Sequence, residues 1–227
     1  MSNFCNPLVL NLMRNIDERI KFEPSGLDYV NTEAKVVIVG ITPGNSQMKN
    51  SREGLSPKEI KRRNAFCGTM RPNLIRMLDY VGVNDLLGIK TCKSLWDEDF
   101  DKVDMTSLLK EATYIYEERT GKWKMFNNLK LIAGSKKLQD MLESRFVKNC
   151  ASYHCAEVFI GLGPGVYNVL LGLKDRGVIQ ADIIGMANPS GANGGRIACF
   201  LGEREPNDSS YEWCRQKAIE AMKICRR

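Results

Sequence analysis

Lys35-Val36-Val37-Ile38-Val39-Gly40-Ile41-Thr42-Pro43-Gly44-Asn45-Ser46-Gln47 is the stretch that decides the fold. Its first half is a continuous apolar run, the mark of a strand buried on both faces in a parallel sheet. Its second half is rich in Gly, Pro and Asn, residues that turn a chain out of a strand. A similar unit lies far along the chain, where Asp182-Ile183-Ile184-Gly185-Met186-Ala187 runs into Asn188-Pro189-Ser190-Gly191-Ala192-Asn193-Gly194-Gly195-Arg196. Open α/β sheets carry their sites in loops at the carboxyl ends of parallel strands. The two loops are therefore expected on one rim, where backbone donors and small amide and hydroxyl groups face a polar ligand, as in a pocket for a nucleobase and its phosphates.

Further strands are expected near 106–109, where Thr106-Ser107-Leu108-Leu109 reads as a strand end, and at 156–160. Helices are expected between them. Ser56 caps a helix opened by Pro57 and running to Phe66. Leu74, Ile75, Met77 and Leu78 sit at helical spacing after Arg71-Pro72, and Gly82 stops that helix. Others are expected at 7–19, at 135–147, from Pro164 to 173, and from an Asp208 or Ser209 cap to 224. Strands separated by helices predict an α/β fold, a three-layer α/β/α sandwich around a central, mostly parallel four-stranded sheet. Residues 1–227 read as a single domain.

The 43% hydrophobic and 26% charged fractions are ordinary for a globular chain. No run approaches 18 apolar residues and no basic-then-apolar leader is evident, so the expectation is a cytoplasmic protein that does not cross a membrane. The cysteines are scattered singly, no C-x-x-C occurs and His154 is the sole histidine, which argues for reduced thiols and against a structural metal. His154, without histidine neighbours, reads as a fold residue. The net charge of +6 tilts mildly toward an anionic partner. Basic residues at 58–63 fit equally a solvated helix face.

Neither loop ends in the Gly-Lys-Ser/Thr of a Walker phosphate loop, and Gly161-Leu162-Gly163-Pro164-Gly165 fails the dinucleotide fingerprint and reads as a tight strand-to-helix turn. The loops resemble, in order, three motifs of the uracil-DNA glycosylase superfamily, particularly its mismatch-specific and single-strand-selective branches. Gly40-Ile41-Thr42-Pro43-Gly44 is similar to its Gly-x-Asn-Pro-Gly motif. Phe66-Cys67-Gly68, leading to Asn73, is similar to its phenylalanine segment. Asn188-Pro189-Ser190-Gly191 matches its final motif. The continuation Ala192 through Arg196, with Met70-Arg71-Pro72-Asn73, resembles a little-studied bacterial group of that superfamily.

The resemblance implies a DNA glycosylase, which flips a nucleotide into a snug pocket and hydrolyses its base–sugar bond. Thr42 stands where relatives place a water-positioning Asn or Asp, with Asn45 as a possible helper; a hydroxyl is a poor general base near neutral pH, so Thr42 equally suits a turn role. Asn188 falls where relatives touch the departing base, and an amide donor suits a developing anion. Gly40, Ile41, Pro43, Gly44 and Gln47 would form the base pocket. Phe66 would stack on the base or simply anchor its helix, and Asn73 would read the base edge, cap the next helix or support a loop. Arg71, Ser190, Gly191, Asn193 and Arg196 would meet the DNA. The implied partner is DNA with a flipped-out base, with no cofactor, no metal, no membrane and no required protein partner. Lys49, Arg52, Lys58, Lys61, Arg62 and Arg63, between the first two motifs, would cover the pocket or touch the strand. Uracil or another altered base is the expected target, and the unusual first motif leaves room for modified phage DNA and a defence role. A catalytically weak DNA- or nucleotide-binding protein of the same fold, and a hydrolase of free nucleotides or nucleosides, are the alternatives.

Overall fold

The computed structural model describes residues 16–49 and 53–227, so most of the helix expected at 7–19, and Arg52, lie outside the described residues. The decisive stretch forms β2 (Val36–Gly40), every residue of which is buried. It pairs in parallel with β3 (Val103–Ser107) on one side and β6 (Val158–Leu162) on the other, and β6 pairs in parallel with β7 (Asp182–Met186). The order β3-β2-β6-β7 is the expected four-stranded parallel sheet. All its carboxyl ends emerge on one rim.

Alternate residues of the strands feed two cores, as the period of two requires. Val36, Ile38, Val103, Met105, Ile160 and Ile184 face helices α3 (Met70–Val81), α7 (Gly194–Phe200) and α8 (Ser209–Cys225). Val37, Val39 and Phe159 face α6 (Pro164–Asp175) and Phe146. Phe146 lies in a π-helical turn, Leu142–Val147, that continues α5 (Lys136–Met141). These are the three layers. Three further helices, α1 (Asn45–Lys49), α2 (Pro57–Asn64) and α4 (Val83–Leu87), are short. Among the described residues no helix is long and apolar enough to cross a membrane.

Local chemistry explains the boundaries. Ser56 accepts from the Glu59 N–H while the Glu59 carboxylate accepts from the Ser56 N–H, a reciprocal cap that opens α2 with Pro57 at its first position. Asp208 caps α8 through the amides of Ser210 and Tyr211. At the 161–165 turn, Gly163 takes φ 97°. A Cβ on Gly161 would lie 2.8 Å from the Tyr167 backbone, so glycine is what lets α6 lie tight on the sheet.

Two findings depart from the sequence reading. A second, antiparallel sheet, β1-β4-β5, is built from β1 (Ile20–Glu23), β4 (Ala112–Glu117) and β5 (Lys122–Met125). And Lys61 does not lie on a solvated helix face. Its side chain is fully buried, with its ammonium on the Asp104 carboxylate and on the Tyr29 carbonyl at 2.5 Å. The Tyr153 hydroxyl donates to the other Asp104 oxygen. Asp104 lies on β3, the edge strand, so this cluster clamps α2 over an edge that would otherwise be open. Burial pushes the Lys61 ammonium down and Asp104 opposes that shift.

Removing one member of a buried ion pair strands the other. Lys61→Met should cost about 3–5 kcal/mol in urea unfolding, and Lys61→Met with Asp104→Leu should recover most of that loss. A single variant within experimental error of the parent would contradict the clamp.

Candidate functional site

The rim is assembled from three segments that touch. The loop after β2 continues the strand pairing, since the carbonyls of Gly40 and Ile41 accept from the amides of Leu108 and Leu109 at 3.0 and 2.9 Å. The turn at 66–69 abuts it: a Cβ on Gly68 would lie 3.4 Å from Ser46 Oγ. That turn in turn reaches the loop after β7, where a Cβ on Gly191 would lie 3.9 Å from Thr69 Oγ1. Asn73 Nδ2 donates to the Pro189 carbonyl at 3.0 Å. Asn73 therefore supports a loop. The helix cap position is Thr69, not Asn73.

Phe66 is the centre of this arrangement. It is the only non-glycine among the described residues with a positive φ, 48°, a conformation that is strained for a bulky side chain. It lies beyond α2, which stops at Asn64, and it is buried in the main core, so it also anchors the turn as an apolar residue. The turn is held from below. The Ala65 carbonyl accepts from Trp96 Nε1 at 2.8 Å and from Arg71 Nη2 at 3.1 Å, and the same Arg71 nitrogen donates to the Arg63 carbonyl at 2.6 Å. The Arg71 guanidinium lies 5.3 Å from the Trp96 ring centroid. Arg71 thus braces the Phe66 turn, a task different from the phosphate contact expected of it. Next to this brace runs a groove of ≈ 560 Å³ that carries Arg62, Arg63, Arg71 and Lys93 against Glu59 and Asp97.

Below Phe66 is a small enclosed cavity lined by Leu27, Pro43, Gln47, Ala65, Phe66, Met105, Thr106, Ser107 and Lys110. A Cβ on Gly40 would meet Phe66 Cε1 at 3.1 Å and Ser107 Oγ at 3.6 Å, so glycine gives the ring room over the end of β2 that a side chain would crowd. The cavity measures ≈ 10 Å³, room for about one water. A base enters only if Phe66 or the 24–31 strap moves. Gln47 fixes the loop, its Oε1 accepting from the Gly44 N–H at 2.7 Å.

Thr42 and Asn188 do not share this cavity. The Thr42 hydroxyl donates to the Glu111 carbonyl at 2.7 Å and accepts from the Thr113 N–H at 2.9 Å, tying the first loop to the start of β4. One lone pair remains to accept a hydrogen from water. Asn45 is exposed, and its Oδ1 accepts from the Tyr114 hydroxyl at 3.4 Å. Asn188 Oδ1 accepts from the Ser190 N–H at 3.0 Å, which leaves its Nδ2 as the outward donor. Asn188, Asn193 and Arg196 line a separate depression of ≈ 380 Å³ with Pro164 and Trp213. Asn193 donates to Ser190 Oγ at 2.9 Å and accepts from Arg196 Nη1 at 3.1 Å, so the loop presents Ser190, Gly191 and an oriented arginine to solvent. The strands feeding Thr42 and Asn188 have β6 between them, about 10 Å at ordinary strand spacing.

Lys110 escaped the sequence reading. It follows β3 on the same rim, is only 4% exposed, and donates from Nζ to Thr106 Oγ1 at 3.0 Å. Burial, reinforced by the Lys61 charge, pushes its ammonium down to about 8. The available signal was a lysine directly behind the Leu108-Leu109 pair, at a strand's carboxyl end where sites collect. Of the other basic residues between the first two motifs, Lys58 pairs with Asp101 and Arg62 with Asp97. His154 does not serve the fold's interior: it is exposed beside Glu33 and Cys155 at the amino ends of β2 and β6, the rim opposite the site.

No family model matches the chain. It is 29% identical over 192 residues, covering 78% of this chain and 73% of the relative, to the uncharacterized protein YoxB of Bacillus subtilis (strain 168). Among solved structures it is similar to the crystal structure of Pedobacter heparinus SMUG2, with 13% identity, coverage of 86% of this chain and 76% of that one, and a TM-score of 0.44.

The left-handed turn yields an inverted substitution order. Phe66→Gly should be more stable than Phe66→Ala by about 1 kcal/mol, because alanine keeps the steric penalty at positive φ. Alanine as the more stable of the two, by thermal or urea unfolding, would contradict the strained conformation.

Proposed function

We propose that the chain is a monofunctional DNA glycosylase that hydrolyses the N-glycosidic bond of uracil or another modified base and leaves an abasic site. The single observation that carries this reading is the strained, braced Phe66 over a rim cavity, flanked by a loop with free donors and by a basic groove. An aromatic face is what a base pulled from its stack requires, and π-stacking is worth about 1–3 kcal/mol per base. The groove with Arg62, Arg63 and Lys93 supplies a path for the phosphates. Ser190, Gly191 and Arg196 would hold the backbone on the other side of the turn.

In this reading Pro43, Gln47 and Gly40 shape the base pocket together with Phe66. As the C1′–N bond lengthens, electrons pass to the base and the sugar gains cationic character. Asn188, which lines the neighbouring depression and not the Phe66 cavity, would have to reach the base in the opened site, where its Nδ2 would donate to the oxygen on which negative charge collects. Thr42, through its remaining lone pair, would orient the water that adds to C1′, with Asn45 beside it. Phe66 or the 24–31 strap would move to admit the base and close on it again, which would couple base extrusion to closure of the site.

A second reading has its own support. The Thr42 hydroxyl is engaged on two sides and the cavity is nearly filled, which favours a protein that binds DNA or a nucleotide without hydrolysing it.

Base release from single- and double-stranded DNA carrying uracil, other deamination products and bulky modified pyrimidines, followed by alkali-sensitive strand cleavage, decides between them. Binding without any release selects the second reading. For Asn188→Ala the single-turnover rate should fall about tenfold or more, and an unchanged rate removes Asn188 from the chemistry. Arg196→Ala should weaken binding across sequences and flatten its salt dependence by about one unit of slope; equal slopes in variant and parent would take Arg196 off the phosphates.

A further inference from the structure

We infer that Lys110 reads the extruded base: its ammonium, in the wall of the Phe66 cavity, donates to an exocyclic oxygen, so that substrates present an oxygen and not an amino group to that wall. The inference rests on the glycosylase reading of the same cavity and names its substrate class. Lys110 lines the cavity with Phe66, Gln47 and Ser107. Among the described residues, the one hydrogen bond its ammonium makes is to the neutral Thr106 hydroxyl. An ammonium carries three donors, so this side chain is buried with donors unspent, which is costly unless a ligand supplies acceptors.

The neighbourhood contrasts Lys110 with Lys61. Lys61 has the Asp104 carboxylate and the Tyr29 carbonyl, and its place is explained by the sheet edge that it closes. Among the described residues no carboxylate pairs with Lys110. Glu111, next in the chain, turns its carboxylate to the Ser25 N–H and to Arg145. The charged groups that act on Lys110 are Lys61 from α2, Asp104 from β3, Asp28 from the strap before β2, and Arg145 from the π-helical turn. Tyr153 also faces the cluster, through Asp104. Burial and the two cations hold the ammonium near 8 against the pull of the two carboxylates, so it is charged at neutral pH yet close to losing its proton. A base leaving as an anion gains from such a donor in a dry cavity, and an amino group facing it would set donor against donor.

Lys110→Met, with Lys110→Gln as a neutral donor, tests this. If the lysine is kept for a ligand and not for the fold, Lys110→Met should unfold at or above the parent's temperature at pH 7, because a depressed ammonium destabilises the folded state below its own pKa. A fall of several degrees makes Lys110 a structural residue and overturns the inference. Binding to single strands bearing 2′-fluoro-deoxyuridine or its 5-substituted forms, whose base–sugar bond resists hydrolysis, should weaken tenfold or more in Lys110→Met and less in Lys110→Gln. Equal affinities overturn it. As pH rises through about 8 the parent's binding should decline, and Lys110→Met, which retains every other charged neighbour, should lack that limb; the same limb in both proteins also overturns it. These readouts need no turnover. Absence of base release in the parent would defeat the glycosylase reading alone, while these binding and stability results would still judge Lys110.

Discussion

A lysine and an aspartate shut away from water, Lys61 and Asp104, set the terms for the rest of the molecule. A buried pair of this kind adds little net stability over a well-packed apolar pair, but it tolerates very few other arrangements. It fixes α2 against the edge of β3, and α2 delivers Ala65 and Phe66 to the rim. The same pair leaves a positive charge beside Lys110. Burial is the main cause of the depression of Lys110, and the Lys61 charge that helps to place the aromatic ring adds to it.

The Phe66 turn is over-determined from outside. Positive φ at a bulky residue costs about 1–3 kcal/mol and persists only where surroundings enforce it. Here Trp96 and Arg71 converge on the Ala65 carbonyl. The ring closes a cavity too small for a base, with Gly40 trimmed to admit it. Extruding a nucleotide costs a few kcal/mol, and stacking on Phe66 is of a size to offset that. A closed cavity with a strained lid is thus consistent with a site that opens only when a base is offered.

The parallel sheet was legible because burial on both faces leaves an unbroken apolar run, as at 36–39 and, in shorter form, at 183–187. The rim loops were legible because Pro, Gly and Asn are needed to leave such strands. The antiparallel sheet was harder to see: β4 and β5 are short, amphipathic and rich in Lys and Glu, although Tyr114-Ile115-Tyr116 and the Gly121 turn did carry a hairpin signal. Lys61 was not legible as an interior lysine. Composition assigns lysine to the surface, and only the three-dimensional meeting of Lys61, Asp104 and Tyr153 reverses that expectation. Asn73 shows the same limit from the other side, since its partner, the Pro189 carbonyl, is remote in sequence.

The claim on which everything else turns is that the space under Phe66 receives a base. The structure of the protein bound to DNA carrying a 2′-fluoro-deoxyuridine tests it most directly. The account predicts that base out of the stack, lying on the Phe66 ring with an oxygen toward Lys110 Nζ. Bound DNA with every base still stacked, and the Phe66 cavity still shut, would contradict it.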